Sequence, residues 1–197
     1  MKLLFLDTET TGLDPEKHGV VQIAGIIEIN GEEKERFDLH SQIFDEQIAE
    51  PKALKVNGLT LEQIGQFPEP TTTHAELKKI WDKYIDKYNK ADKFYMVGQN
   101  VPFDYGFLDK FFKNCGDDYL YSYINYDKID LVALTAAFKV AGIYDFKKVN
   151  LEAVAEMFNI EFTAHDAAAD IDVTRKIFHH YVDQIKDKAI KKTSKKA

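Results

Sequence analysis

The sequence has few of the residues that cross-link a chain or anchor it in a membrane. Cys115 is the single cysteine among 197 residues, which excludes an internal disulfide framework and a cysteine-built zinc site. No apolar run approaches the ~20 residues that a membrane span needs, and the run from Leu3 to Leu6 is too short for a signal peptide. We therefore expect a reducing, cytoplasmic setting and no membrane association.

Arginine is also scarce, since only Arg36 and Arg175 occur beside many lysines. Bidentate readout of base edges by arginine is thus disfavoured. The net charge of −7 argues against a protein that coats nucleic acid through bulk charge. However, residues 186–197 carry six Lys and one Asp, which leaves about −12 on the rest of the chain. A site for divalent cations is itself acidic, so a nucleic-acid substrate stays compatible with the composition.

The remaining composition is that of one packed domain with a tail. Hydrophobic residues make up 45% of the chain and aromatic residues 13%, enough for a sizeable core. We place the domain at residues 1–183 and a Lys-rich tail at residues 184–197. The tail is interpreted either as a solvated end or as an added contact to a phosphate backbone.

The order of predicted elements indicates an α/β fold. Leu3–Leu6 reads as a central strand, and strands at Val20–Ile29 and Glu33–Leu39 flank Asn30-Gly31, a strong hairpin signal. Further strands are predicted at Lys93–Gly98 and Lys128–Asp130, alternating with helices. The expected architecture is a mixed five-stranded sheet whose first strands are antiparallel and whose later strands are parallel, flanked by helices.

Two helix starts are predicted from capping residues. Thr73 with Glu76 three positions later has the spacing of a capping box, ahead of apolar residues that repeat at helical spacing as far as Tyr88. Asn150 is predicted to cap a later helix. A last helix is expected from about Asp166 past Tyr181.

Asp7 and Glu9 interrupt the apolar pattern at the end of the first strand. At a spacing of two they share a pleat face with Leu3 and Phe5. Two buried carboxylates repel each other and lose hydration, at a cost of several kcal/mol per ion. Either a positive charge offsets this cost, or the strand ends there and both side chains reach water.

Asp104 and Asp170 are the other carboxylates that break an apolar stripe. Asp104 begins the helix that buries Phe107, and its alternative role is to stabilise a helix N-terminus. Asp170 follows three alanines in the last helix. His165 precedes that helix, where a lone histidine is usually a surface residue.

A shared pair of divalent cations explains these residues together. Oxygen ligands select hard cations such as Mg²⁺ or Mn²⁺, and two such ions about 4 Å apart can clamp a phosphodiester during in-line displacement. The sequence therefore predicts that the four carboxylates converge on divalent cations.

Three segments resemble the motifs of the DEDDh exonucleases of the ribonuclease-H-like superfamily. They are Asp7–Leu13, Gly98–Asp104 and His165–Asp170. A histidine five positions before Asp170 is typical of the DEDDh branch, which includes the proofreading subunit of bacterial DNA polymerase III, ribonuclease T and oligoribonuclease. The resemblance covers roughly residues 1 to 182. It implies a ribonuclease-H-like fold, with one departure at Gln99, where many members carry His.

The resemblance also implies roles for the residues of the motifs. Asp7, Glu9 and Asp170 would hold one of two Mg²⁺ or Mn²⁺ ions, and Asp7 would also bridge to the second ion, which Asp104 would join directly or through water. His165 would take the proton from the attacking water, a task that suits a near-neutral pKa. The activity implied is 3′–5′ exonuclease hydrolysis that releases nucleoside 5′-monophosphates.

The same motifs imply contacts to a single-stranded 3′ end, DNA being favoured over RNA. Candidate substrate-binding residues are Thr10, Gly12, Leu13, Asn100 and Phe103. Gly12 would allow close backbone approach, and Leu13 would be an apolar wall against a base. Core packing is the alternative for Leu13 and Phe103.

Other functions stay open at this point. The fold could serve as a catalytically silent nucleic-acid-binding module, as an exonuclease for RNA ends, or as a ribonuclease-H-type endonuclease. Association with a DNA polymerase and a homodimer are also left open by the sequence.

Overall fold

The computed structural model describes residues 1–161 and 167–194, which form a five-stranded mixed sheet with helices on both faces. The strands run in the order β3-β2-β1-β4-β5. Their bounds are β1 Lys2–Thr10, β2 Val20–Ile29, β3 Glu32–His40, β4 Tyr95–Gly98 and β5 Ile129–Asp130. The first three strands are antiparallel and β4 and β5 are parallel to β1, so the predicted α/β architecture is confirmed.

Seven helices flank this sheet within the described ranges. They are α1 Pro51–Asn57, α2 Leu61–Ile64, α3 Pro70–Trp81, α4 Val101–Asn114, α5 Leu131–Val140, α6 Leu151–Met157 and α7 Ala167–Ser194. A single 3₁₀ turn, Leu120–Ser122, lies between α4 and β5. Among the residues described, no helix combines the length and the apolar character that crossing a bilayer requires.

The core has two layers, one on each face of β1. Leu4 and Leu6 point toward a cluster built with α3 and α4, whereas Leu3 and Phe5 pack in a cluster built with α5, α6 and α7. This alternation follows from the two-residue period of a strand. β1 is therefore covered on both faces, as its continuous apolar run predicts.

The β2–β3 hairpin forms where the sequence predicts it. Asn30 and Gly31 both have positive φ, 55° and 87°, the conformation that a two-residue turn between twisted strands requires. The turn fixes the register of β3 against β2, in which Asp38 faces Ala24. On the other side of β2, Asp7 of β1 faces Ala24 and Glu9 faces Gln22.

The predicted start and end of α3 are wrong. The helix begins at Pro70, and its residue Thr73 is buried and donates its hydroxyl to the carbonyl of His40 at 2.7 Å. A proline at the first helical position sets the start because its missing N–H is not needed there. The helix ends at Trp81, short of Tyr88. The capping box that does form joins Thr60 and Gln63 at the start of α2.

The positions of the last two helices agree with the sequence prediction. Asn150 precedes α6 as predicted, but its side chain makes no cap hydrogen bond and instead donates to Glu152. The last helix continues from Ala167 to Ser194 without a break at residue 184. The division into a domain at residues 1–183 and a tail stays a prediction.

Candidate active site

β1 continues through the two carboxylates that break its apolar pattern. Both Asp7 and Glu9 are paired to β2 inside a strand that runs to Thr10, so the alternative in which the strand ends before them is wrong. They lie on the face of β1 that Leu3 and Phe5 share with α7. Each is partly exposed, as expected at the end of the sheet.

The first turn of α7 brings Asp170 to the same place. Carboxylate oxygens of Asp7, Glu9 and Asp170 lie within 4.8 Å of one another. Ala167 is fully buried at the start of the helix, and its small side chain allows α7 to approach the sheet closely. Ile171 is also fully buried one position after Asp170, so packing fixes the rotation of the helix about its axis.

Asp104 approaches from the opposite face of β1. Its carboxylate is 2% exposed and accepts hydrogen bonds from the backbone N–H of Thr8 at 3.0 Å and from the Thr8 hydroxyl at 2.8 Å. The residue does lie in the first turn of α4, where a negative charge is favourable. Its bonds to β1 show that it also ties this helix to the strand that carries Asp7 and Glu9.

The electrostatics of the cluster are unfavourable without a cation. The pKa of Asp7 is raised well above its ordinary value, first by burial and then by the charges of Asp104, Asp170 and Glu9. Burial likewise raises the pKa of Asp104 to about 7, against the hydrogen bonds from Thr8, which favour the charged form. An all-oxygen donor set that repels itself fits hard divalent cations, and these residues can hold them.

His165 lies outside the described residues, as does Asp166 beside it. The predicted role of His165 in proton transfer therefore stays a prediction.

A pocket of about 230 Å³ opens next to the carboxylates. Its lining includes four of the five predicted substrate-binding residues, namely Thr10, Gly12, Leu13 and Phe103, together with Glu9. Asn100 is not among the lining residues; it lies at the start of α4 with a positive φ of 64°. Its backbone N–H donates to Asp130.

Leu13 and Phe103 differ in how they meet this pocket. Leu13 is 78% exposed, so core packing is wrong for this residue. Phe103 is partly exposed, and its ring packs against that of Phe107 with centroids 4.8 Å apart. Phe103 thus lines the pocket with a ring that is packed on Phe107, while Leu13 is exposed to solvent beside it.

Gly12 is required for a reason that the sequence did not show. A Cβ at this position would lie 2.4 Å from the ring of His18. His18 is buried, and its Nδ1 accepts a hydrogen bond from the backbone N–H of Asp14 at 3.0 Å. The Thr10 hydroxyl donates to the Gly12 carbonyl at 2.7 Å. Glycine here permits a rigid loop after β1, whereas the predicted approach of substrate to Gly12 stays a prediction.

Helix α1 contributes pocket residues that the sequence did not predict. Ala53, Val56 and Asn57 line the far side of the pocket, and the Asn57 amide donates to the Thr10 carbonyl at 2.9 Å. No sequence pattern marked them, and only the structure shows that none of the residues of α1 is buried and that Val56 is 45% exposed. A short helix with exposed apolar side chains often borders a binding site.

Comparison with known proteins places this arrangement in a family. The family model described as "Exonuclease", RNase_T, matches residues 4–178, a span that contains all three motifs. The chain belongs to this exonuclease family. The resemblance to DEDDh exonucleases of the ribonuclease-H-like superfamily is thereby confirmed.

Curated relatives of this exonuclease chain include polymerase III components. It is 27% identical over 184 residues to DNA polymerase III subunit epsilon of Haemophilus influenzae, which covers 89% of this chain and 65% of that protein. It is 25% identical over 191 residues to DNA polymerase III PolC-type of Thermotoga maritima, covering 96% of this chain and 12% of that protein. The chain thus spans less than two thirds of each of these relatives.

Solved structures agree with the fold of the exonuclease family. E. coli Exonuclease I in complex with a dT13 oligonucleotide superposes with a TM-score of 0.74 at 22% identity, over 92% of this chain and 40% of that chain. A zinc-bound form of the E. coli enzyme with single-stranded DNA gives a TM-score of 0.75 at 21% identity, over 91% and 39% of the two chains. These matches confirm the ribonuclease-H-like architecture.

Proposed function

We propose that this chain is a 3′–5′ exonuclease that hydrolyses phosphodiester bonds at the 3′ ends of single-stranded nucleic acid and releases nucleoside 5′-monophosphates. The observation that carries the proposal is the approach of Asp7, Glu9 and Asp170 to within 4.8 Å of one another in a self-repelling cluster. Membership of the exonuclease family supports it.

The carboxylates divide between two cation positions in this proposal. Asp7, Glu9 and Asp170 would hold one Mg²⁺ or Mn²⁺, and Asp7 with Asp104 would hold the second. Divalent cations bound there would supply the positive charge that the scissile phosphate and its leaving oxygen need during hydrolysis. The repulsion that raises the pKa of Asp7 would be relieved at the same time.

The remaining residues position the strand and move the proton. His165 would accept the proton of the attacking water and later release it to solvent. Leu13 and Phe103 would contact the terminal base, since apolar and aromatic surfaces accept every base alike. Asn57 holds the Thr10 carbonyl and thereby positions the wall of the pocket.

DNA is the favoured substrate in this proposal. The curated relatives are named as components of DNA polymerase III, and the matched Exonuclease I structure holds a dT13 oligonucleotide. Association with a DNA polymerase is part of the proposal on the same grounds. The oligomeric state stays open.

The decisive experiment follows a single strand labelled at its 5′ end, incubated with Mn²⁺ or with chelator. We expect a ladder that shortens from the 3′ end, nucleoside 5′-monophosphate as the product, and no hydrolysis in chelator. Asp7→Asn should abolish turnover, whereas Asp45→Asn, which removes the same charge from an exposed position, should not. A panel of DNA and RNA strands of equal length ranks the two substrates.

Two results would contradict the proposal. Cleavage of a circular single strand would assign an endonuclease activity instead. Binding of the linear strand without any shortening, in Mn²⁺ and in Mg²⁺, would leave a silent binding module.

A further inference from the structure

A second concave surface lies far from the carboxylates and combines lysines with exposed tyrosines. It is a pocket of about 580 Å³, which we call the Tyr–Lys pocket. Its lining includes Lys87, Tyr88, Lys90, Lys93, Tyr119 and Tyr121. They come from two loops, one between α3 and β4 and one that follows α4.

The aromatic rings of the Tyr–Lys pocket face solvent. Tyr88 is 87% exposed, Tyr119 is 61% exposed and Tyr121 is 55% exposed. The rings of Tyr119 and Tyr121 lie 5.9 Å apart and are tilted by 57°, so each keeps a face available. Exposed large aromatics that gather on one surface commonly mark an interaction site.

Lysine ammonium groups lie among these rings. The Nζ of Lys87 is 5.9 Å from the centroid of Tyr88, and the Nζ of Lys93 is 5.6 Å from that of Tyr121. Four lysines line the pocket, of which Lys78 is paired with the pocket's one carboxylate, Asp117. Lys87 also lies 3.2 Å from Asp82 at the rim, so part of the positive charge is balanced. The pocket is nonetheless basic on a chain whose net charge is −7.

The two loops are held together, so the pocket is a built feature of the fold. The backbone N–H of Phe94 donates to the carbonyl of Tyr123 at 2.9 Å, and the N–H of Asn125 donates to the carbonyl of Phe94 at 2.8 Å. Tyr123 is buried beneath the pocket, with its ring 5.4 Å from Trp81. The floor is therefore continuous with the core.

The Tyr–Lys pocket lies at the opposite end of the sheet from the carboxylates. β1 and β4 are parallel with Leu3 opposite Tyr95, so Lys93 lies level with the start of β1. Asp7 is several residues further along β1, about 20 Å away at the rise of a strand. A nucleic-acid strand that reached both places would span several nucleotides.

We propose that the Tyr–Lys pocket is a second binding site for single-stranded nucleic acid, which holds the part of the strand upstream of the 3′ end under hydrolysis. This inference rests on the proposed function and adds a distal anchor to it. Tyrosine faces stack on bases of any identity, and lysines contact the phosphates between them. An acidic peptide would use the lysines but would leave the exposed ring faces without a partner of matching shape, so the nucleic acid is favoured.

The test compares one pocket variant with one matched control. Tyr88→Ala/Lys90→Gln removes a stacking ring and an exposed charge from the pocket. Tyr126→Ala/Lys139→Gln removes the same groups from exposed positions outside it, where Tyr126 is 91% exposed. Each protein is assayed in Mn²⁺ on oligothymidylates of about 4 and about 20 nucleotides, since binding footprints of single-strand sites fall in that range.

The pocket variant should lose affinity for the long strand alone. We expect its KM for the long oligonucleotide to rise roughly five-fold or more, the effect of losing one stacked base. Its kcat, and both constants for the short oligonucleotide, should stay unchanged. The slope of log KM against log salt should fall by about 0.7 for the lysine removed. Equal constants for the pocket variant and the control would overturn the inference.

A binding measurement separates this inference from the proposed function. Fluorescence anisotropy of the labelled long strand in chelator reports affinity without turnover. Weaker binding by the pocket variant supports the Tyr–Lys pocket even if the protein hydrolyses no strand in the assay above. Competition by polyglutamate as strong as that by unlabelled oligothymidylate of equal charge would assign the pocket to acidic peptides and overturn the inference.

Discussion

Thr8 ties α4 to the strand that carries Asp7 and Glu9. It is 6% exposed, and both its backbone N–H and its hydroxyl donate to the same oxygen of Asp104. Hydrogen bonds to a buried charge are worth about 1.5–3 kcal/mol each. Thr8 therefore favours the charged form of Asp104 against the effect of burial, which raises the pKa of that carboxyl to about 7.

Replacing Thr8 should move the pH dependence of hydrolysis. In metal-free Thr8→Val the hydroxyl bond is lost and the pKa of Asp104 rises further, so at neutral pH a cation must displace a proton from a larger share of the Asp104 carboxyls before it binds. We expect hydrolysis at pH 7 to fall roughly ten-fold, with the rate recovering as the pH rises. Thr8→Ser keeps the hydroxyl and should retain the profile of the parent. An equal loss at every pH in Thr8→Val would contradict this explanation.

The metal-free protein should lose stability as the pH rises. Well below pH 3.8 Asp104 is protonated in both the folded and the unfolded state. Above that value the unfolded state ionises first, while the folded state retains its proton until about pH 7, so the free energy of unfolding declines across this window. Asp7 adds a contribution of the same sign because its pKa is also raised.

Removing one charge should reverse part of this decline. Asp7→Asn in chelator should melt at a higher temperature than the parent at pH 8 and by a smaller margin at pH 5. A gain of 1 kcal/mol corresponds to about 2–4 °C for a chain of this size. Mn²⁺ should raise the melting temperature of the parent at pH 8 and have less effect on the variant. Thermal melts at the two pH values, with Asp45→Asn as the control, test both statements.

At the scale of elements, glycines inside α4 and after β1 have opposite roles. Gly106 lies within α4, where a Cβ would have no neighbour within 4 Å. A Cβ at Gly12, by contrast, would lie 2.4 Å from the ring of His18. The first glycine lowers helix stability without a packing reason, and the second is required by close contact.

Alanine substitutions should therefore separate the two sites. Gly106→Ala should stabilise the protein by about 0.5–1 kcal/mol through helix propensity, with unchanged hydrolysis. Gly12→Ala should destabilise it and weaken hydrolysis, because His18 or the loop that borders the pocket must shift. Denaturant unfolding and the strand-shortening assay measure both effects. Equal stability changes in the two variants would show that the contact with His18 is not limiting.

Local sequence patterns predicted secondary-structure elements correctly where the residues of the element itself determine its conformation. Asn30-Gly31 gives the hairpin because positive φ is a property of those two residues. Thr73 led to a wrong helix start because its hydroxyl donates a hydrogen bond to the carbonyl of His40, which is distant in sequence. No local pattern shows that partner. Glu9 and Asp7 were placed on the correct pleat face by period alone, but the contribution of α1 to the pocket depends on how a loop folds over β1.

At the scale of the whole molecule, α7 is held to the sheet by ion pairs around a buried carboxylate. Glu28 of β2 is 1% exposed and accepts hydrogen bonds from Arg175 and His179, each at 2.8 Å. Arg36 of β3 forms a two-pronged pair with Asp172 at 2.7 and 2.9 Å. Both arginines of the chain thus fix the helix that delivers Asp170.

Breaking this connection should weaken the fold more than a surface change on the same helix. Arg175→Ala removes one of the partners that offset the buried charge of Glu28. We expect the free energy of unfolding to fall by about 2–3 kcal/mol, less than for a fully buried pair because the arginine is partly exposed. Lys176→Ala, one position along at an exposed site, should change stability by no more than about 0.5 kcal/mol. Urea unfolding of both variants in chelator provides the comparison. Similar midpoints would show that the ion pairs do not hold α7.

The sequence was enough to predict that the carboxylates share a cation site, but not to predict the distances between them. Their residue types and motif spacing indicated a common cation site, and the fold brings three of them within 4.8 Å. Asp104 reaches the cluster from the other side of the sheet through Thr8, a contact between residues 96 positions apart that no periodicity encodes.

The alternation of side chains along β1 would make the proposed nuclease activity a reporter of correct strand pairing. One residue inserted between Leu3 and Leu6 would exchange the two sides of the strand beyond that point. Asp7 and Glu9 would then turn away from Asp170, and Thr8 would lose Asp104. A protein in which β1 is paired out of register could keep its secondary structure and still hydrolyse nothing. Turnover is therefore a stricter measure of the native fold than circular dichroism.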